Sequence, residues 1–284
     1  MENRQEFCGK IILFGEYTVI LDGVTLAMPS RNYSGIWTQD VEESIDLLPY
    51  IGYLKENLKG SLDVDRLYND YGLGFSFKSS IPMGYGLGSS GALVAAIYTR
   101  YCLNADGDKD EIRSILGKME SFFHGQSSGT DPLISYMDSP LLMDKKGIRK
   151  VEISDETLVP FRLLDSQRER QSEPLVASFL ERMKGEAYKA DVETYQEIVK
   201  TAIKAVLNND VSQLESSIQA ISRAQLVLFQ DMIPAKIRAL WVSGLEAGTY
   251  SMKLCGAGGG GMFLLYLHES DKVLESISYS ISYL

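Results

Sequence analysis

The chain has 284 residues, 45% of them hydrophobic and 23% charged, which suits one large or two modest globular domains with a real core. A net charge of −10 argues against a general nucleic-acid binder, which needs a basic surface, but leaves room for one local site that holds a phosphate-bearing small molecule. Cys8, Cys102 and Cys255 are too few and too scattered for a disulfide framework or a zinc site, so they read as reduced thiols of a cytoplasmic protein.

The opening "MENRQEFCGK" lacks the apolar core of a signal peptide, and no run approaches the roughly 18 apolar residues of a membrane span. "KIILFGEYTVI" (Lys10–Ile20) is two β-branched and aromatic runs broken at Gly15-Glu16, which predicts a hairpin or two strands around a turn. Ser34–Asp40 is a further strand, Tyr50–Leu58 a helix, and Gly72–Ser80 an alternating strand. Ser90–Leu103 is helical and rich in Ala, Leu and Val. Asp108 caps the next helix, on which Ile112, Ile115, Leu116, Met119, Phe122 and Phe123 share a face until Gly125. Ser139–Ile153 predicts a hairpin turning at Lys146-Gly147, and Val159–Ser166 another strand. Beyond Glu173 the pattern becomes helical over Leu175–Met183, Val192–Leu207 and Val211–Met232, with Pro234 opening a fourth helix. A glycine cluster and a strand close the series at Lys253–Leu267.

Four segments carry chemistry. "IPMGYGLGSSGALVAA" (Ile81–Ala96) is a glycine-rich loop that runs into a helix start. Helix-start N–H groups lack internal partners and carry partial positive charge, and glycines let a phosphate approach them. Ser89 and Ser90 add hydroxyls for a phosphate or a divalent cation; the competing reading is a tight turn with a serine cap. No Gly-Lys-Ser/Thr closes the loop, so it is not a Walker A motif. In "ESFFHGQSSGTD" (Glu120–Asp131), Glu120 lies near a helix C-terminus, where the dipole disfavours a carboxylate and a cation such as Mg2+ would compensate it. Asp131 follows a small polar loop and suits a base or an electrostatic anchor; for each acid alone the alternative is a solvated surface charge. His124 lies between them and is equally suited to capping the helix end. Lys10 begins a strand, either at the surface or reaching a transferring phosphoryl group. "CGAGGGG" (Cys255–Gly261) has more glycines than a simple turn needs, which points to close approach by a ligand or another backbone.

Together these segments resemble the GHMP kinases. "GKIILFGEYTVI", "PMGYGLGSSGA" and "KLCGAGGGGMFLL" resemble that family's three motifs, in its order, and span Gly9 to Leu265. The resemblance implies an α+β fold of two domains: a nucleotide-binding domain like ribosomal protein S5 domain 2 over 1–160, and a ferredoxin-like domain with extra helices over 161–284. The active site would lie in the cleft between them. It implies a kinase that transfers the γ-phosphoryl group of ATP, with Mg2+, to a primary hydroxyl of a small-molecule alcohol. Alternatives are a member with a different acceptor and a member that only binds a ligand. Asp131 would be the catalytic carboxylate, with Lys10 beside it. Pro82, Gly84, Gly86, Leu87, Gly88, Ser89 and Ser90 would hold the nucleotide, and Ser90 and Glu120 the metal. Glu16, Tyr17, His124, Ser172, Gly256, Ala257 and Gly258 would lie on the acceptor side, where Arg168 and Arg170 could serve a phosphorylated acceptor. Neither nucleic acid nor membrane is implied as a partner, and the chain would be a monomer or homodimer. Three positions depart from the family pattern: Tyr17 stands where it usually has His, Ser127 where it often has Pro, and Gly91 where Ala is common.

Overall fold

Strand β1 (Glu6–Phe14) is the β-branched and aromatic run, and it is buried along nearly all its length. It ends at Gly15, where φ is 106° and a Cβ would lie 2.6 Å from Thr25 Oγ1 and 2.7 Å from Val24 O. The second predicted strand does not form. Tyr17 takes φ 62° and ψ −42°, and Thr18–Leu21 is a 3-10 turn that Gly23 N closes onto Thr18 O at 2.8 Å. The computed structural model describes residues 5–39, 45–104, 107–170, 172–269 and 271–284, without the side chains of 172 and 173.

Strand β2 (Thr25–Thr38) follows, then helices α1 (Leu48–Asn57) and α2 (Val64–Gly72), strand β3 (Ser76–Ser79) and helices α3 (Ser89–Tyr101), α4 (Lys109–His124) and α5 (Thr130–Met137). Strands β4 (Leu141–Asp144) and β5 (Gly147–Lys150) form the predicted hairpin. The short helix α6 (Asp155–Leu158) leads to strand β6 (Phe161–Asp165). Four helices come next: α7 (Ser172–Arg182), α8 (Glu186–Leu207), α9 (Val211–Leu228) and α10 (Ala235–Ala247). Strands β7 (Tyr250–Leu254), β8 (Met262–Leu267) and β9 (Ile281–Tyr283) complete the chain. Of these, α2, α5, α6, β7, β9 and the first part of β2, before Ser34, are not evident from sequence pattern.

The chain gathers into two compact units. The first comprises the segments up to Lys10, Met28–Pro82 and Leu87–Ser139; the second comprises Ile11–Ala27, Met83–Gly86 and Pro140–Leu284. In the first, α3 is buried from Gly91 to Tyr98 and packs on α4 and α5, so its small residues serve close helix packing. Asp108 caps α4 as predicted, accepting from the N–H groups of Asp110 and Glu111. The end of β2 pairs antiparallel with β3, from Gly35 opposite Ser79 to Thr38 opposite Ser76.

The second unit holds a four-stranded antiparallel sheet in the order β7-β8-β6-β9. The apolar faces of α9 and α10 pack against β7, and α8 packs on α9. Trp241 of α10 has no solvent exposure and donates to Ser222 Oγ of α9 at 2.6 Å, so its indole N–H is satisfied in the core. Also in this unit, the start of β2 pairs with β4, Thr25 opposite Met143. Among the described residues no helix is long and apolar enough to cross a membrane.

Gln225 ties α9 to its surroundings. It has no exposure, donates to Tyr195 Oη at 2.7 Å and accepts from Leu254 N at 2.8 Å. Gln225→Leu keeps the volume but strands a hydroxyl and an amide in the interior. The expected cost is about 2–3 kcal/mol, read as a lower urea midpoint; an unchanged midpoint would show that these groups find other partners.

Candidate active site

Lys10 ends its segment of the first unit with only 4% exposure, and an ammonium so buried needs an anion. Asp131 supplies one, with Oδ2 3.1 Å from Lys10 Nζ. Local structure fixes both ends. Lys10 N donates to Leu87 O at 2.7 Å, so the strand is held to the glycine-rich loop. Asp131 lies in the first turn of α5, not in the loop that the sequence predicts. There the helix dipole favours a carboxylate. Helix α5 reaches this position because Gly91 lets α3 approach it: a Cβ on Gly91 would stand 2.9 Å from Asp131 C and Pro132 N.

Glu120 is the second carboxylate. It is 4% exposed, near the end of α4. Its Oε2 accepts from Ser127 Oγ and its Oε1 from Ser90 Oγ, the latter at 3.3 Å. Burial first, then the neighbouring Asp131 charge, push its carboxyl up to about 7, while Ser127, Lys10 and Ser90 pull the other way. Ser90 Oγ also lies 3.0 Å from His124 Nε2, so the structure sets His124 beside the serine and Glu120. One hydroxyl and one buried carboxylate short of positive charge suit Mg2+, which keeps several waters and relies on phosphate oxygens for further ligands. Among the described residues no cluster of three or more His, Cys, Asp or Glu forms a self-sufficient metal cage.

The glycine-rich loop meets this group at its helical end. Gly84, Gly86 and Gly88 have φ of 75°, 75° and 73°. Leu87 between them is 1% exposed and anchors the loop through its side chain. Gly88 caps α3; a Cβ there would come within 2.9 Å of Lys10 Cγ. Pro82 precedes the turn, and Ser89 and Ser90 open α3 as a helix N-terminus.

The remaining predicted residues lie in the second unit. Glu16 is completely buried and ion-paired with Lys253 of β7, itself 2% exposed. Lys253 has no local partner in the sequence; a lysine inside the apolar run "SMKLC" is the one signal there that marks it. Tyr17 Oη donates to Ala257 O at 2.5 Å. Around it Gly256, Gly258, Gly259, Gly260 and Gly261 all have positive φ. Arg170 lies against both glycine segments of this unit. A Cβ on Gly86 or on Gly256 would sit 2.2 or 2.6 Å from its Nη1. Ser172 opens α7, and its side chain lies outside the described residues.

Residues 53–139 match the family described as GHMP kinases N terminal domain. In fold the chain, which mixes helix and sheet in two domains, matches mevalonate kinases of known structure. It is similar to the mevalonate kinase of Archaeoglobus fulgidus, 28% identical over 93% of this chain and 92% of the relative. Among solved structures it resembles L. major mevalonate kinase in complex with R-mevalonate, with TM-score 0.65 and 17% identity over 95% of this chain and 89% of that one. It also resembles the Streptococcus pneumoniae phosphomevalonate kinase, with TM-score 0.67 and 15% identity over 98% and 97%. At those identities the two structures speak for the fold alone.

The raised Glu120 carboxyl makes a pH-dependent stability. The folded state holds this proton more tightly than the unfolded chain, whose carboxyl titrates near 4.5. Stability therefore falls as pH rises from about 4.5 to about 7, and the penalty is complete above that. In chelator-containing buffer, Glu120→Gln is expected to stabilise the protein more at pH 8 than at pH 5, by on the order of 2 kcal/mol. Equal melting shifts at the two pH values would refute this.

Proposed function

We propose that the protein is an ATP- and Mg2+-dependent kinase that transfers the γ-phosphoryl group to the primary hydroxyl of mevalonate, giving 5-phosphomevalonate. The observation that carries this reading is the Lys10–Asp131 pair, 3.1 Å apart, beside the glycine-rich start of α3. Its relatives being mevalonate kinases supports the choice of acceptor. Asp131 orients the hydroxyl and takes its proton as the new O–P bond forms and the bond from the γ-phosphorus to the bridging oxygen breaks. Lys10 holds Asp131 in place and offsets charge that spreads over the transferring group. The backbone of Gly84–Ser90 cradles the phosphates, and Ser90 and Glu120 would hold the metal. Mg2+, when bound, would supply neutralisation of phosphate charge; positioning by the protein supplies most of the remainder.

The reading assigns the nucleotide to the N-terminal domain, 1–160, and leaves 161–284 as the C-terminal kinase domain. Cys8, Cys102 and Cys255, read as reduced thiols, suit a cytoplasmic setting. A second reading, a phosphomevalonate kinase, draws support from Arg170, whose guanidinium lies between Gly86 and Gly256. A homoserine kinase is disfavoured because such enzymes lack the catalytic Asp.

An ADP-release assay against mevalonate, phosphomevalonate, homoserine and simple sugars tests the acceptor. Mevalonate is expected to give the highest kcat/KM, and turnover on phosphomevalonate alone would move the assignment to the second reading. Asp131→Asn is expected to lower kcat by two orders of magnitude or more. Unchanged turnover in that variant would remove Asp131 from the mechanism.

A further inference from the structure

The turn after β1 is strained in a way its neighbours over-determine. Tyr17 has φ 62° and ψ −42°, and Thr18 N donates to Glu16 O at 2.7 Å. That is a γ-turn of the positive-φ kind, rare for any residue and costly for one with a bulky side chain. Three contacts hold it. Glu16 is pinned by Lys253 in a pair with 0% and 2% side-chain exposure. The Tyr17 ring lies 4.9 Å from that of Phe179 and 4.8 Å from that of Phe229. The Tyr17 hydroxyl donates to Ala257 O at 2.5 Å.

Both ends of this dipeptide act on the same piece of chain, the β7 end and the glycine loop that follows it. Lys253 Nζ also donates to Leu254 O at 2.6 Å, and Gln225 Oε1 accepts from Leu254 N at 2.8 Å, which fixes the stem of the loop. The stretch from Gly256 to Gly261 has five glycines at positive φ and so little stiffness of its own. Backbone ties from Gly259 N to Met232 O and from Gly261 N to Arg168 O, both 2.6 Å, hold its far side. On the near side, Ala257 is reached by the Tyr17 hydroxyl.

We propose that Glu16 and Tyr17 form a two-point clamp that sets the shape of the Gly256–Gly258 loop, with Tyr17 acting as a positioning residue rather than as a contact to the acceptor. The kinetic part rests on the kinase reading above, in which this loop serves the acceptor; the structural part does not. Burial raises the Tyr17 phenol well above its ordinary value, with the nearby Arg170 charge opposing, so the hydroxyl stays a donor at all working pH. Strain held in place by several partners is a usual mark of a segment that positions a functional loop.

Tyr17→Phe removes the hydroxyl and keeps the ring between Phe179 and Phe229. Hydrogen–deuterium exchange of peptides spanning Leu254–Gly261 is expected to quicken about fivefold to tenfold, as loss of one hydrogen bond dictates. Peptides of α3 and α5 should not change. With mevalonate as acceptor, its KM should rise by a similar factor while the KM for ATP stays within about twofold. A merely structural role would move both constants or only the melting temperature. Unchanged exchange at Leu254–Gly261 overturns the clamp, as does an unchanged acceptor KM alongside active enzyme. Wild-type exchange keeps the test decisive if the variant does not fold: a native loop that exchanges as fast as an open peptide is not clamped. If no acceptor turns over, the kinase reading fails and the exchange result still decides the clamp.

Discussion

A lysine with 4% of its surface exposed sets the terms for the first unit. The charge is tolerated because a carboxylate stands 3.1 Å away, and the carboxylate is there because α5 begins there. Each further requirement follows from that pair. Helix α5 must come close to α3, so position 91 carries no side chain. Strand β1 must hold its course, so its backbone is tied to Leu87, a buried residue of the glycine-rich loop. The loop therefore has two duties. Its glycines expose backbone, and its leucine anchors that backbone to the strand that carries the lysine.

Glu120 depends on the same pair from the other side. The Asp131 charge raises its proton affinity and the Lys10 charge lowers it, with burial tipping the balance upward. A site poised in this way holds a surplus of negative charge in little water. Such a surplus is stable when a cation and phosphate oxygens complete it, and it weakens the fold when they do not. If Glu120 holds a metal as proposed, function and stability pull in opposite directions at one residue.

Most of the elements were legible in the sequence because hydrophobic period and caps are local signals. Asp108 and the apolar face after it define α4, and Lys146-Gly147 marks the β4–β5 hairpin. Helix α5 is hidden because it is short and starts just after Gly129, behind a run of small polar residues, which reads as loop. The second strand expected after β1 failed for a tertiary reason: Glu16 is drawn inward to Lys253, and the chain turns sharply at Tyr17 to permit it. Lys10, Ser90, Glu120 and Asp131 were readable as chemistry, but only coordinates could show that they share one neighbourhood of hydrogen bonds and ion pairs. Lys253 escaped because its partner lies 237 positions away, and no local pattern reports such a distance.

The three departures from the family pattern are intelligible as local solutions rather than losses. Ser127 donates to Glu120 Oε2 and accepts from Gly129 N at 3.0 Å, so it steadies the carboxylate and the cap of α5 at once. A proline in its place would have no hydroxyl to do either. Gly91 lacks the Cβ that would stand 2.9 Å from the backbone at the start of α5. Tyr17 extends further than a histidine would, and its hydroxyl reaches Ala257 O while its ring fills the space beside Phe179 and Phe229. The first two bear on Glu120 and Asp131, the third on the glycine loop. Each changes a residue that touches functional backbone or carboxylate, and each leaves that group held by at least one other contact. A chain can drift at such positions without dismantling the site, because the groups that carry charge are fixed by more than one neighbour.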